Sequence, residues 1–201
     1  IIVHETAPAS YGWTVVENSW TGEKFSLPRS EKSEPIVDVE MWLSEQGTRQ
    51  IFSQSGLDFD ELKMAAQKPG FKAVSLNVQA QLSLSNKLGS SISKNVIGTI
   101  KGTQRPDEHI IYMAHWDHIG RDATKKGDQI YNGAMDNASG VAAMFLIADA
   151  YNKLSVKPER SITFVAVTAE EQGLLGSKYY AENPIYPVKD TVTVINMDGV
   201  T

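Results

Sequence analysis

Cysteine is absent from the chain. Disulfides and thiolate metal sites are therefore excluded, and any metal site must be built from nitrogen and oxygen donors. The compartment stays open, because exported proteins can also lack cysteine. Also missing is any apolar run near the roughly 20 residues that span a bilayer as a helix. Basic residues are in the minority: 19 Lys and Arg against 24 Asp and Glu leave a net charge of −5, with no basic block. That argues against a nucleic-acid partner, whose binders carry a basic stripe. There is no initiator methionine; the chain opens on Ile1-Ile2-Val3 and closes on Gly199-Val200-Thr201. The expectation is a segment of a longer protein, with any signal peptide outside it.

What is present suffices for a core. Apolar residues make up 41% of the 201 positions, and that length suits one medium domain, or one domain plus part of another. The first block is expected over residues 1–68. Ile1-Ile2-Val3-His4 reads as a buried strand end, and residues 7–35, rich in Pro, Gly, Ser and Trp, as turns and short strands. Ile36-Val37-Asp38-Val39 is a further strand candidate. Ser44 is placed to N-cap a helix to about Ser53, with Gly56 as its stop. Asp58 with Glu61 fits a capping box for a second helix. Lys68-Pro69-Gly70 breaks that helix and marks the boundary. Trp13, Trp20 and Trp42 are expected in the core of this block.

The second block spans 69–201. Val74, Leu76, Val78, Ala80, Leu82 and Leu84 alternate with mostly polar neighbours, the period of a half-buried strand. Strands are expected at 95–100, 110–115, 161–169 and 191–197, the last three apolar enough to be interior. Residues 120–134 read as a polar loop. A well-buried helix is expected over 137–154, apolar on more than one face. Strands alternating with helices imply an α/β sandwich with a largely parallel sheet.

Acid and histidine side chains sit where these strands run out, and ligands of open α/β sheets bind outside the carboxyl ends of strands. His115 and Asp117 follow the third strand of the block, two residues apart, so both point one way on an extended segment. A metal-ligating imidazole oriented by a carboxylate has that arrangement. Asp136 heads the long helix; it suits an N-cap, or a carboxylate facing a cation. Glu170 and Glu171 are adjacent, so they reach one site only where the strand breaks into a turn, which Gln172-Gly173 supplies. One acid can then ligate metal while the other takes a proton from water; a short acidic helix start is the alternative use. Asp198 follows the last strand, where a lone aspartate often serves a turn. His4 and His109 read as structural or surface histidines, and His118 as a supporting or surface residue. Trp116 is placed to wall the pocket.

The stretches 114–118 (AHWDH), 132–140 (NGAMDNASG), 168–177 (TAEEQGLLGS) and 196–198 (NMD) resemble the co-catalytic two-zinc exopeptidases. These include bacterial leucyl aminopeptidases, with glutamate carboxypeptidase and glutaminyl cyclase as relatives. The resemblance covers residues 95–201 and implies a three-layer α/β sandwich, present in part. Residues 1–68 look like the C-terminal part of a smaller, β-rich protease-associated domain. By resemblance His115 and Asp198 ligate one zinc, Glu171 ligates a second, Asp136 bridges both, Glu170 is the general base and Asp117 orients His115. The family takes one more ligand, a histidine well downstream, so the 201 residues alone are expected to be nearly inactive. The implied substrate is a peptide with a free N-terminus, and the implied location is periplasmic or extracellular.

Overall fold

A computed structural model describes residues 1–29 and 37–200, and it divides into two compact units. The first comprises 1–24 with 29–88, the second 25–28 with 89–201, so the division falls later than the Lys68-Pro69-Gly70 break.

In the first unit β1 (Ile2–His4) runs parallel to β2 (Trp42–Ser44). Between them lie α1 (Thr6–Ala9) and α2 (Trp13–Trp20), and after them α3 (Glu45–Gln54) and α4 (Phe59–Ala66). The two caps read from sequence are in place. Ser44 Oγ accepts from Gly47 N at 3.2 Å, and Asp58 Oδ1 from Glu61 N at 2.8 Å. Each satisfies an orphan amide of a first helical turn. The stretch expected as turns and short strands instead forms α1 and α2. Val16 on α2 is buried and Trp13 lies against the buried His4 ring, so packing overrides weak local propensity here. Helix rather than strand thus dominates the unit among the described residues. Trp20 is exposed, not core. Of the 36–39 strand candidate, Ile36 lies outside the described residues, and 37–39 are irregular and exposed.

The second unit is built on a four-stranded sheet of β3 (Val96–Ile100), β4 (Arg105–His115), β7 (Arg160–Val167) and β8 (Thr191–Asn196), in the order β3-β7-β4-β8. The pairs of β4 with β7 and with β8 are parallel, and β3 is antiparallel to β7. A two-residue hairpin, β5 (Gly120–Arg121) and β6 (Ile130–Tyr131), lies in the polar loop. The helices are α5 (Ser139–Lys153) and α6 (Leu175–Glu182). Tyr180 of α6 joins Ile111, Met113, Val165 and Val167 in the core. Tyr151 of α5 meets Tyr112. Alternation puts Tyr112 on the face opposite Met113, so the two helices cover opposite faces. That is the three-layer α/β arrangement, with a mostly parallel sheet.

Three expectations are corrected. Residues 71–95 are irregular despite their alternation, with Val74, Val78, Leu82 and Leu84 exposed. Alternation marks a face, but a strand needs a partner, and no described strand pairs with this one. Among the described residues β8 stands last in the sheet and most of its side chains are exposed, where an interior strand was expected. Helix α5 begins at Ser139, not 137, and buries only Gly140 and Met144 along its length; Phe145 and Leu146 are 72% exposed.

Candidate metal centre

Because β4, β7 and β8 are parallel neighbours, their carboxyl ends open on one side of the sheet. His115 is the last residue of β4, paired with Val167, the last of β7. Beyond Val167 the chain turns sharply, with Ala169 in the left-handed region at φ 53°. Asn95 holds this turn, accepting from Thr168 N at 3.1 Å and donating to the Gly176 carbonyl at 2.8 Å. The turn delivers Glu170 and Glu171 to the same side. Asp198 follows β8, and Asp136 lies in a wide turn, Ala134–Ala138, that leads into α5.

These groups converge on one nitrogen. His115 is 3% exposed, and its Nε2 lies 2.9 Å from Asp136 Oδ1, 3.4 Å from Asp198 Oδ1 and 3.9 Å from Glu170 Oε2. Its Nδ1 donates to the Asp117 carbonyl at 3.0 Å. A carbonyl only accepts, so in the neutral ring the proton is on Nδ1 and Nε2 presents a lone pair. That buried Nε2 has no hydrogen-bond partner. A lone pair facing carboxylate oxygens is repulsive unless a cation, or a proton, lies between them. The donor set of one imidazole and two carboxylates fits zinc or a similar divalent ion. The ligand atoms of His115, Asp136 and Asp198 lie within 4.8 Å of one another, and so do those of His118, Asp136 and Glu171. Asp136 belongs to both groups, and Glu170 to neither.

The electrostatics agree. Burial pushes His115 towards the neutral form, but the Asp117 carbonyl and the carboxylates of Glu170, Asp117 and Asp198 outweigh it and raise its pKa above 6.5. Glu170 is raised above its ordinary value, first by burial and then by Glu171, Asp198 and Asp117, against the opposing pull of His115. A metal ion bound among these groups would displace such protons.

Several local roles differ from the sequence expectation. The carboxylate of Asp117 does not itself hold the imidazole: Oδ1 is 3.7 Å from His115 Nδ1. It accepts instead from Glu170 N at 3.1 Å and Glu171 N at 3.3 Å, while its backbone carbonyl orients His115. The adjacent-acid turn is thus tied to the end of β4. Asp136 is not the N-cap of α5; Asn137 Oδ1 accepts from Gly140 N at 3.0 Å in that role. His118, expected as a supporting or surface residue, supports Glu171, its Nδ1 donating to Oε1 at 2.7 Å. Gly133 makes room for it: a Cβ there would lie 3.0 Å from the His118 side chain and 2.8 Å from the Asp136 carbonyl. Repetition of histidine three residues after His115 was the one sequence signal for His118. Trp116 is half-exposed and donates to the Lys94 carbonyl. His4 and His109 are buried and hydrogen-bonded, to the Tyr11 carbonyl and to Thr163.

Residues 95–201 match peptidase family M28. The chain is 34% identical over 125 residues to aminopeptidase NAALADL1 of Rattus norvegicus, covering 60% of this chain and 15% of that protein. It is 35% identical over 140 residues to the glutamate carboxypeptidase 2 homolog of Caenorhabditis elegans, covering 66% of this chain and 16% of that protein. Among solved structures, BSAP, a zinc aminopeptidase from Bacillus subtilis, is 32% identical over 53% of this chain and 24% of its own, with a TM-score of 0.42. The chain therefore spans less than a fifth of the length of these two curated relatives.

Proposed function

This chain belongs to peptidase family M28, and from that premise we propose that it carries the greater part of the metal centre of a zinc exopeptidase that releases N-terminal residues from peptides. The supporting observation is the convergence of Asp136, Asp198 and Glu170 on the orphaned Nε2 of His115. Two zinc ions are assigned. His115, Asp136 and Asp198 hold one, matching the three protein ligands usual at catalytic zinc. Asp136 and Glu171 contribute to the other, with His118 hydrogen-bonded to Glu171. Zinc, when bound, polarises the scissile carbonyl and draws the pKa of water towards neutrality.

The side chains supply the rest. Glu170 belongs to neither ligand group and is the general base: it accepts the proton of the attacking water and returns it to the leaving amine. Its partly buried position raises its pKa, which suits a group that must take a proton and give it up again. Asp117 fixes both glutamates through their backbone amides and sets the His115 tautomer through its carbonyl.

The test uses the intact protein with one short peptide in two forms, free and N-acetylated, and mass spectrometry of the products. Loss of the first residue from the free form only is expected. Loss from the far end of both forms would replace this reading with a carboxypeptidase, the second reading, which the glutamate carboxypeptidase 2 homolog among the relatives favours. Cleavage of neither form, by protein with zinc bound, would point to a cyclase-type reaction. Cleavage of neither with no zinc bound would leave a non-catalytic relative.

A further inference from the structure

We propose that Asn137 is a positioning residue that couples two carboxylates of the metal centre, clamping the turn that carries Asp198 onto the turn that carries Asp136. The inference rests on the zinc-site reading above. Asn137 is 2% exposed and sits directly after Asp136. Its Nδ2 donates to the Met197 carbonyl at 2.9 Å, and its Oδ1 accepts from Gly199 N at 3.2 Å. Met197 and Gly199 are the two neighbours of Asp198, so one amide grips the backbone on both sides of that residue. The same Oδ1 accepts from Gly140 N at 3.0 Å and caps α5. There is no slack: a Cβ on Gly140 would lie 2.5 Å from Asn137 Oδ1 and 2.5 Å from the Met197 carbonyl. A neighbouring tie runs in parallel, with Val200 N donating to Ser139 Oγ at 3.0 Å.

The chemistry of the side chain matters. The clamp needs a donor towards Met197 and an acceptor towards Gly140 and Gly199, from one short side chain. Asparagine meets that need; aspartate would set an acceptor against a carbonyl. Asp198 itself follows β8, and in the structure its turn is held to the head of α5 by these backbone ties. Asn137 lies outside both ligand groups, so its effect on zinc runs through the place of Asp198 relative to Asp136.

The experiment measures zinc affinity of the intact protein by competition with a chromogenic chelator, alongside thermal unfolding. Asn137→Ala is made in the native background and in Asp198→Ala, with His115→Ala as the control for the site. Expected is a loss of about 10–100-fold in affinity in the native background, the usual effect of removing a group that orients metal ligands. In the Asp198→Ala background the same change should cost less than about twofold, because its route of action is gone. An equal loss in both backgrounds would make Asn137 merely structural and overturn the proposal. So would unchanged affinity in a folded Asn137→Ala protein. If that variant does not fold, Asn137→Asp keeps the acceptor for Gly140 and Gly199 and removes only the donor to Met197, with the same two-background expectation. Zinc affinity that His115→Ala leaves unmoved would instead overturn the site reading itself.

Discussion

Replacing Asp117 by asparagine separates two functions of one residue. In the native site its two carboxylate oxygens accept from the amides of Glu170 and Glu171 at 3.1 and 3.3 Å, on a side chain only 16% exposed. Its backbone carbonyl separately orients His115. Asparagine keeps one oxygen, so one amide retains an acceptor and the other meets an NH2 group. The loss is about one charge-assisted hydrogen bond at a partly buried site, or roughly 1.5–3 kcal/mol. For a domain of this size that lowers the melting temperature by roughly 3–12 °C. The backbone carbonyl is untouched, so zinc held by His115, Asp136 and Asp198 should weaken less than zinc held through Glu171. The rate should fall, because Glu170 rides on the loosened turn. Differential scanning calorimetry of metal-free protein measures the first effect; zinc titration and kcat measure the others. A melting temperature within a degree of wild type, with kcat intact, would refute the claim that this carboxylate anchors the glutamate turn.

Glu170→Gln should keep both zinc ions and lose about 10²–10⁴ in kcat, the share of general acid–base catalysis; metal analysis with single-turnover rates checks it, and near-normal kcat would count against the assignment. His118→Ala should weaken zinc on the Glu171 side by about tenfold or more while leaving the His115 side nearly unchanged, read from the stoichiometry of a stepwise zinc titration; rescue by His118→Asn, which can still donate, is expected, and equal weakening of both sides would contradict the pairing with Glu171. The pH dependence has a definite sign. The pKa of His115 is raised above 6.5 in the folded state, so its proton stabilises the metal-free protein fully below that value, and this contribution is lost as pH rises through the folded pKa. Zinc competes with the same proton, so its apparent affinity should fall on acidification, beginning above pH 6.5; equilibrium dialysis between pH 5 and 8 would show it, and a flat profile would exclude His115 as a ligand.

The strands expected at 95–100, 110–115 and 161–169, which form as 96–100, 105–115 and 160–167, were legible because an apolar run bounded by turn residues has few other stable uses. The caps at Ser44 and Asp58 were legible because a short polar side chain before a helix has a specific amide to satisfy. Most of the candidate site residues stood out because they lie where such a strand ends, whereas Asp136 stood out at the head of the long helix. Less visible was α2, whose residues have weak helical propensity and are held by packing around Val16 and His4. The alternation in 71–95 misled, since a periodic face does not supply a pairing partner. The shares of work among Asp117, His118 and Asn137 were also hidden. Each depends on a hydrogen bond across more than fifty positions of chain, which no local pattern encodes.

Local sequence by itself determined which residue types stand at the ends of the strands, that any metal here must bind through oxygen and nitrogen, and the alternation of strand and helix that makes the sheet mostly parallel. These follow from composition and from the steric preferences of neighbouring residues. Only the tertiary structure decided that the carboxyl ends of β4, β7 and β8 lie side by side, that Asp136 and Asp198 meet on one imidazole nitrogen, and that an asparagine amide joins their two turns. Those outcomes depend on strand order, register and close packing, which are set by contacts between residues far apart in the chain.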